Sequence, residues 1–115
     1  MTDELLEIVE RGYGAAEAGD EESLRGVFTP DASWVLMKGR EVGRRYAGRD
    51  AVVEFLLGFE DLRLESIMQL EELVVAAHSF AVPGGRAVAT TVYRFRGGLV
   101  ARGQCADVRR RAQLS

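Results

Sequence analysis

The chain of 115 residues lacks several features that mark particular protein classes. It has one cysteine, Cys105, so an internal disulfide is excluded and a reducing, cytoplasmic setting is consistent with the sequence. No apolar run approaches the roughly 20 residues of a membrane-spanning helix. The acidic first segment, MTDELLEIVE, does not resemble a signal peptide. We therefore expect a cytoplasmic protein with no membrane partner.

The sequence also has little that would bind nucleic acid, metal or phosphate. Its net charge is -3, with both signs scattered, whereas a nucleic-acid-binding face is basic. The single histidine, His78, lies far from Cys105, and this spacing does not fit a zinc site. Gly97-Gly98 lies between predicted strands rather than before a helix, unlike a phosphate-binding loop. We expect no nucleic-acid partner, no metal and no cofactor.

Strand patterns dominate the second half of the chain. With 47% apolar residues, residues 1–115 are predicted to form a single domain with one core. Between Arg86 and Arg109, two runs of β-forming residues flank Gly97-Gly98, and glycine accepts the positive φ of a tight hairpin turn. Two earlier strands are predicted over 62–70 and 72–82, which completes a meander of four.

Three helices and one strand are predicted before this meander. Asp20 can cap a short second helix, Thr29-Pro30-Asp31 predicts a turn, and residues 32–37 form a strand by composition. Residues 38–48 are polar and rich in glycine, which favours a loop with at most a short strand. Gly48-Arg49-Asp50 opens a well-buried third helix. The first helix has an apolar stripe at helical spacing: Leu5, Ile8, Val9, Gly12, Tyr13 and Ala16.

This order of elements indicates an α+β fold, because helices precede an antiparallel sheet instead of alternating with parallel strands. We predict a cone-shaped, curved antiparallel or mixed sheet with three helices packed on its concave face. Such an arrangement leaves a space between the helices and the sheet.

Three segments at the joints of these elements resemble one known superfamily. They are AAEAGDEESLRGVFTPDASW at 15–34, RYAGRDAVVEFL at 45–56 and VYRFRGGLVARGQCAD at 92–107. In this order they resemble the nuclear transport factor 2-like superfamily, most closely its SnoaL-like, polyketide cyclase-like branch. The resemblance implies the cone-shaped fold and a homodimer formed through the outer sheet face. It implies no single activity, because the superfamily includes isomerases, cyclases, epoxide hydrolases, dehydratases and non-catalytic modules.

The residues that carry activity elsewhere in the superfamily are only partly matched. Aligned with the steroid isomerases, the chain has Gly12 in place of their tyrosine and Leu36 in place of their aspartate base. The Arg-x-Asp pattern of the epoxide hydrolases is missing from the corresponding strand. SnoaL-like cyclases use one acidic base, for which Asp107, Asp31 and Glu41 are available. Whether the chain is an enzyme therefore stays open.

His78 and Asp107 are the candidate catalytic residues. The ordinary pKa of histidine, about 6.5, suits proton transfer. Strand alternation places His78 on the same face as Phe80, which favours an inward side chain, although a structural histidine is the alternative. Asp107 would need a β-bulge to reach the interior. Cys105 is better explained as a buried, inert thiol than as a nucleophile.

A pocket for a small hydrophobic molecule is predicted from the number of aromatic residues that this fold directs inward. In a reaction, Tyr13 or Gln104 would orient an oxygen atom of the ligand. The alternative is a non-catalytic module that dimerises through the outer sheet face, with Val88, Val92 and Val100 at the interface. The predicted lining comprises Tyr13, Trp34, Phe55, Phe59, His78, Tyr93, Gln104 and Cys105.

The register of the last hairpin decides which of these residues face inward. A plain two-residue turn at Gly97-Gly98 predicts that Phe95 faces Val100, Tyr93 faces Arg102 and Thr91 faces Gln104. Each β-bulge would exchange the two faces beyond it.

Overall fold

A computed structural model describes residues 4–110, with side chains described up to residue 106. The elements are α1 (Glu4–Ala18), α2 (Glu21–Arg25), β1 (Phe28–Lys38), β2 (Glu41–Ala47), α3 (Arg49–Leu57), β3 (Arg63–Leu70), β4 (Leu73–Val82), β5 (Gly85–Arg96) and β6 (Leu99–Arg110). The strands form one curved sheet in the order β2-β1-β6-β5-β4-β3. Neighbouring strands are antiparallel except β1 and β6, which are parallel. The predicted α+β fold with a mixed sheet and three helices is confirmed.

The start of each helix coincides with a local feature of the sequence. The Asp20 carboxylate accepts a hydrogen bond from the backbone N–H of Ser23 at 3.2 Å, which satisfies a free donor at the start of α2. Gly48, with φ at 94°, turns the chain into α3. In α1, Glu4 and Glu7 lie at the positive end of the helix dipole. Residues next to each helix therefore determine where the helices that cover the concave face begin.

Two predicted loop segments are strands in the structure. Thr29-Pro30-Asp31, predicted as a turn, lies inside β1. The pairing of β1 with β6 is interrupted between Phe28 and Ser33, so the missing N–H of Pro30 removes no hydrogen bond from the ladder with β6. Residues 38–48 were predicted as a loop with at most a short strand, and residues 41–47 of this segment form the strand β2. Its exposed, charged residues are typical of an edge strand, where charge blocks further pairing.

The turn between β3 and β4 has no glycine or proline. Leu70 pairs with Leu73, and Glu71 takes a positive φ of 55° in the two-residue connection. A non-glycine residue seldom adopts this conformation. The residue types at this position therefore did not predict a turn. The strands predicted on both sides, over 62–70 and 72–82, are confirmed and run over Arg63–Leu70 and Leu73–Val82.

Two bulges in β6 change the predicted register of the last hairpin. Phe95 pairs with Val100 as predicted, but Tyr93 pairs with Gly103 and Thr91 with Cys105. The predicted pairs of Tyr93 with Arg102 and of Thr91 with Gln104 are therefore wrong. One extra residue lies between Val100 and Arg102 and another between Cys105 and Asp107. Such bulges bend a strand and increase its twist, as a strongly curved sheet requires.

The indole of Trp34 lies directly on the backbone of Gly103, its pairing partner on β6. A Cβ atom at Gly103 would lie 2.5 Å from Cε3 and 2.7 Å from Cζ3 of Trp34. Only glycine therefore leaves room for this indole. The close approach holds the Trp34 side chain in the centre of the concave face, where it is 1% exposed.

Candidate functional site

Three polar side chains meet inside the cone, each carried by a different element. Tyr13 comes from α1, His78 from β4 and Tyr93 from β5. The Tyr13 hydroxyl lies 2.8 Å from Nδ1 of His78 and is also hydrogen-bonded to the Tyr93 hydroxyl. The ring centroids of Tyr13 and His78 are 5.3 Å apart. We call these three residues the polar trio.

Burial keeps every member of the polar trio neutral. His78 is 1% exposed, and the loss of hydration lowers its pKa to about 4. Burial also raises the pKa of Tyr13 and that of Tyr93 above the ordinary value, since a buried phenolate is poorly solvated. The trio therefore contains a neutral imidazole and two phenols at neutral pH.

The trio has three donor protons and two hydrogen bonds, so either order of the bonds leaves one proton without an acceptor in the trio. With the imidazole proton on Nε2, Tyr93 donates to Tyr13 and Tyr13 donates to Nδ1 of His78. With the proton on Nδ1, His78 donates to Tyr13 and Tyr13 donates to Tyr93. Nε2 of His78 is buried and has no hydrogen-bond partner among the described residues.

An apolar cavity of about 220 Å³ lies beside the trio. Phe55 and Phe59 of the α3 region and Phe80 of β4 supply much of its aromatic wall, and their rings are in mutual contact. The eight lining residues are Trp34, Leu36, Phe55, Phe59, His78, Phe80, Ala89 and Cys105. A second, smaller void of about 20 Å³ lies under α1, next to Tyr13 and Tyr93.

The structure brings most of the predicted lining residues together. Five of them line the cavity: Trp34, Phe55, Phe59, His78 and Cys105. Tyr13 and Tyr93 lie in the polar trio behind His78 instead of in the cavity wall. Gln104 lies elsewhere, because the bulge in β6 pairs it with Val92 and Val35 on the outer face.

Asp107, the second predicted proton carrier, is only partly described. Its backbone pairs with Thr90 on β5, directly after the second bulge of β6. The Asp107 side chain lies outside the described residues. A catalytic role for Asp107 therefore stays a prediction, as does one for His78.

Three lining residues were absent from the predicted pocket: Leu36, Phe80 and Ala89. Phe80 is two positions from His78 on β4, so strand alternation alone would have found it. Leu36 likewise alternates with Trp34 on β1. Ala89 pairs with His78 and is small, and its place in the wall depends on the register between β4 and β5.

The described part of the chain has neither a metal-binding cluster nor a membrane-spanning helix. No group of three or more His, Cys, Asp or Glu side chains within residues 4–106 is arranged to hold a metal ion. None of the described helices has the length and apolar character needed to cross a membrane.

Comparison with known structures places the fold among similar proteins. An NTF-2 like protein of unknown function from Burkholderia xenovorans LB400 is 17% identical, with a TM-score of 0.81 over 98% of this chain and 88% of that chain. A candidate ketosteroid isomerase from Kribbella flavida DSM 17836 is 13% identical, with a TM-score of 0.79 over 99% and 84%. A de novo designed protein with a curved β-sheet is 15% identical, with a TM-score of 0.77 over 92% and 86%. At these identities the likeness shows the fold alone.

Sequence comparison identifies the family. None of the curated proteins compared with the chain matches it. The SnoaL-like domain profile matches residues 9–103, which include Tyr13, Trp34, His78 and Tyr93. The chain therefore belongs to the SnoaL-like domain family, within the NTF2-like superfamily.

Proposed function

We propose that the chain binds a small apolar molecule in the cavity beside the polar trio. The observation that carries this proposal is the cavity of about 220 Å³ with an aromatic wall. Trp34 and Phe55 have ring centroids 5.7 Å apart, and Phe59 and Phe80 have centroids 4.5 Å apart. Ligand sites are typically concave, lined by aromatic side chains and supplied with few polar groups. The cavity beside the polar trio likewise has an aromatic wall and few polar groups.

Binding has firmer support than proton transfer at the same place. Nδ1 of His78 is engaged by Tyr13, so a proton transfer to or from a ligand would use Nε2. With a pKa of about 4, the neutral imidazole is a weak base at neutral pH. We therefore assign His78 first to ligand binding and leave proton transfer as its second role.

Filling the cavity is expected to weaken binding. Ala89 is buried in the wall, and Ala89→Leu adds three carbon atoms to a space of about 220 Å³. We expect the affinity for indane, a two-ring hydrocarbon probe, to fall at least roughly tenfold, because the larger side chain takes the volume of the ligand. Isothermal titration calorimetry measures the change.

The matched control is Ala47→Leu, the same substitution at an exposed position at the end of β2. It should leave indane binding unchanged. Equal indane affinity in the wild type and the Ala89→Leu variant would show that indane binds outside the cavity. A wild type that does not bind indane would contradict the proposal.

A second candidate function, dimerisation, is favoured by the outer face of the sheet. The register aligns Met68, Val75, Val92 and Val35 across the sheet, with Gln104 between the last two. Val35 is only 1% exposed, so the accessible part of this row is Met68, Val75 and Val92. Met68 is 54% exposed, and Leu70 on the same strand is 52% exposed. Val100, predicted for this interface, is instead buried in the core. We propose that a second copy of the chain covers this apolar row.

The dimer proposal predicts that Val92→Arg produces monomers. The substitution places a charge in the centre of the apolar row, where desolvation in an interface is costly. Analytical ultracentrifugation at micromolar concentration should give a dimer for the wild type and for Ala18→Arg, at an exposed position of α1. A monomeric wild type would contradict the proposal.

A further inference from the structure

A surface groove lies on the outside of the aromatic cavity wall. We call it the outer groove, and it has a volume of about 340 Å³. Phe55 and Phe59 are the only described residues that line both the outer groove and the cavity, so their rings separate the two spaces. Both residues are partly exposed. The six residues that line the outer groove are Tyr46, Ala51, Glu54, Phe55, Gly58 and Phe59.

Phe55, the first of the two separating rings, is held firmly. It lies inside α3, where the helix fixes its backbone. Its ring stacks on that of Tyr46, with centroids 4.3 Å apart, and contacts the buried indole of Trp34, with centroids 5.7 Å apart. A ring packed between two others has little freedom to change its rotamer, so we expect Phe55 to stay in place.

Phe59, the second separating ring, has more room on one side. It lies two residues beyond the end of α3, where the backbone is no longer helical. On the cavity side its ring contacts His78 and Phe80, with centroids 5.5 Å and 4.5 Å away. On the groove side its neighbour in the chain is Gly58, which has no side chain to oppose the ring. The outer groove can therefore receive the Phe59 ring after a change of rotamer.

Resting on the proposed function, we propose that Phe59 is a gate through which a small apolar ligand passes between the outer groove and the cavity. The Phe59 ring rotates into the groove, the ligand enters, and the ring returns to the wall. The backbone beside the gate stays in place, because Ala81 N–H donates to the carbonyl oxygen of Glu60 at 2.8 Å. Binding that requires such a change is slower than free encounter.

Stopped-flow fluorescence measures entry into the cavity in the full chain. Trp34 is the only tryptophan and lines the cavity, so quenching of its emission by bromobenzene, a heavy-atom quencher, reports the arrival of this ligand. A cavity of about 150 Å³ holds benzene, so the space here has room for bromobenzene. In Phe59→Ala, the association rate constant should rise at least roughly tenfold. Loss of a wall contact alone would raise only the dissociation rate constant.

Narrowing the outer groove should have the opposite effect. Ala51 lies on α3 and lines the groove but not the cavity. Ala51→Leu places a larger side chain in the space that the Phe59 ring enters. Both rate constants for bromobenzene should fall by the same factor, at least roughly threefold, with Kd unchanged, because the ligand leaves the groove empty once bound. The matched control Ala18→Leu, at an exposed position of α1, should change neither rate constant.

The outcomes separate the gate from the proposed function. Association rate constants unchanged in both Phe59→Ala and Ala51→Leu, with bromobenzene still bound, would overturn the gate and leave binding in the cavity intact. Failure of the wild type to bind bromobenzene would overturn the proposed function itself. Circular dichroism confirms that each variant folds. If Phe59→Ala does not fold, Phe59→Leu, which keeps an apolar side chain without the ring, replaces it and should also speed association.

Discussion

Replacing Gly103 with alanine should lower the free energy of unfolding by about 3 kcal/mol, at the upper end of the usual overpacking cost. The added Cβ would lie 2.5 Å from a ring carbon of Trp34. That indole is enclosed by Phe55 and Tyr93, with ring centroids 5.7 Å and 5.5 Å away, so it has little room to move. Urea denaturation of the Gly103→Ala variant measures the loss.

The control for this prediction is another glycine-to-alanine change. Gly14 lies on the exposed side of α1, and a Cβ there would have no neighbour within 4 Å. Gly14→Ala should raise the free energy of unfolding by about 0.5–1 kcal/mol, because alanine favours a helix over the unfolded chain. Similar effects of the two substitutions would contradict the packing of Trp34 on Gly103.

Acidification from pH 7 to pH 4 should remove about 3 kcal/mol of stability through His78 alone. Burial lowers its pKa from 6.5 to about 4 in the folded state. Between these two values the unfolded chain binds more protons than the folded chain, so stability falls as the pH falls. The contribution is complete above pH 6.5 and is lost progressively down to about pH 4.

His78→Gln provides the control, since glutamine does not titrate in this range. The slope of stability against pH between 6.5 and 4 should be much smaller in this variant. Asp20, Asp31 and Asp61 also have lowered pKa values, owing chiefly to hydrogen bonds from Ser23, Thr29 and Arg63. Their stabilisation is lost as the pH falls below 3.8, outside the histidine window. An equal slope in both proteins would contradict a neutral, buried His78.

Much of the fold could be predicted because short-range chemistry determines it. Asp20 predicts the start of α2, and Gly97-Gly98 predicts the last hairpin, since each residue type suits its local backbone geometry. β2 was predicted only as a loop with at most a short strand, because an edge strand is exposed and charged, which makes its sequence resemble that of a loop. The turn predicted at Pro30 was wrong. Proline is tolerated inside β1 because the pairing of β1 with β6 is interrupted at that position.

The candidate site was harder to predict because it depends on register. The inward position of His78 follows from alternation along a single strand. Gln104 was misplaced because the first bulge in β6 moves the residues between it and the second bulge to the opposite face, and no residue type in the sequence marks that bulge. The hydrogen bonds of Tyr13 with His78 and Tyr93 join three elements distant in sequence, so only the assembled fold reveals them.

The cone-shaped fold links these observations to the proposed function. Gly103 admits the Trp34 indole, and that indole forms one side of the cavity. Tyr13 holds His78 through Nδ1 and thereby fixes the opposite ring edge in the wall. Small residues and a buried hydrogen-bond chain thus maintain an apolar space in the interior.

A crystal structure under xenon pressure would test this cavity most directly, because xenon enters dry apolar cavities large enough to hold it. The account predicts a xenon site among Trp34, Phe55, Phe59 and Phe80, within the space of about 220 Å³. Side chains that fill this space, with xenon bound only outside it, would contradict the account.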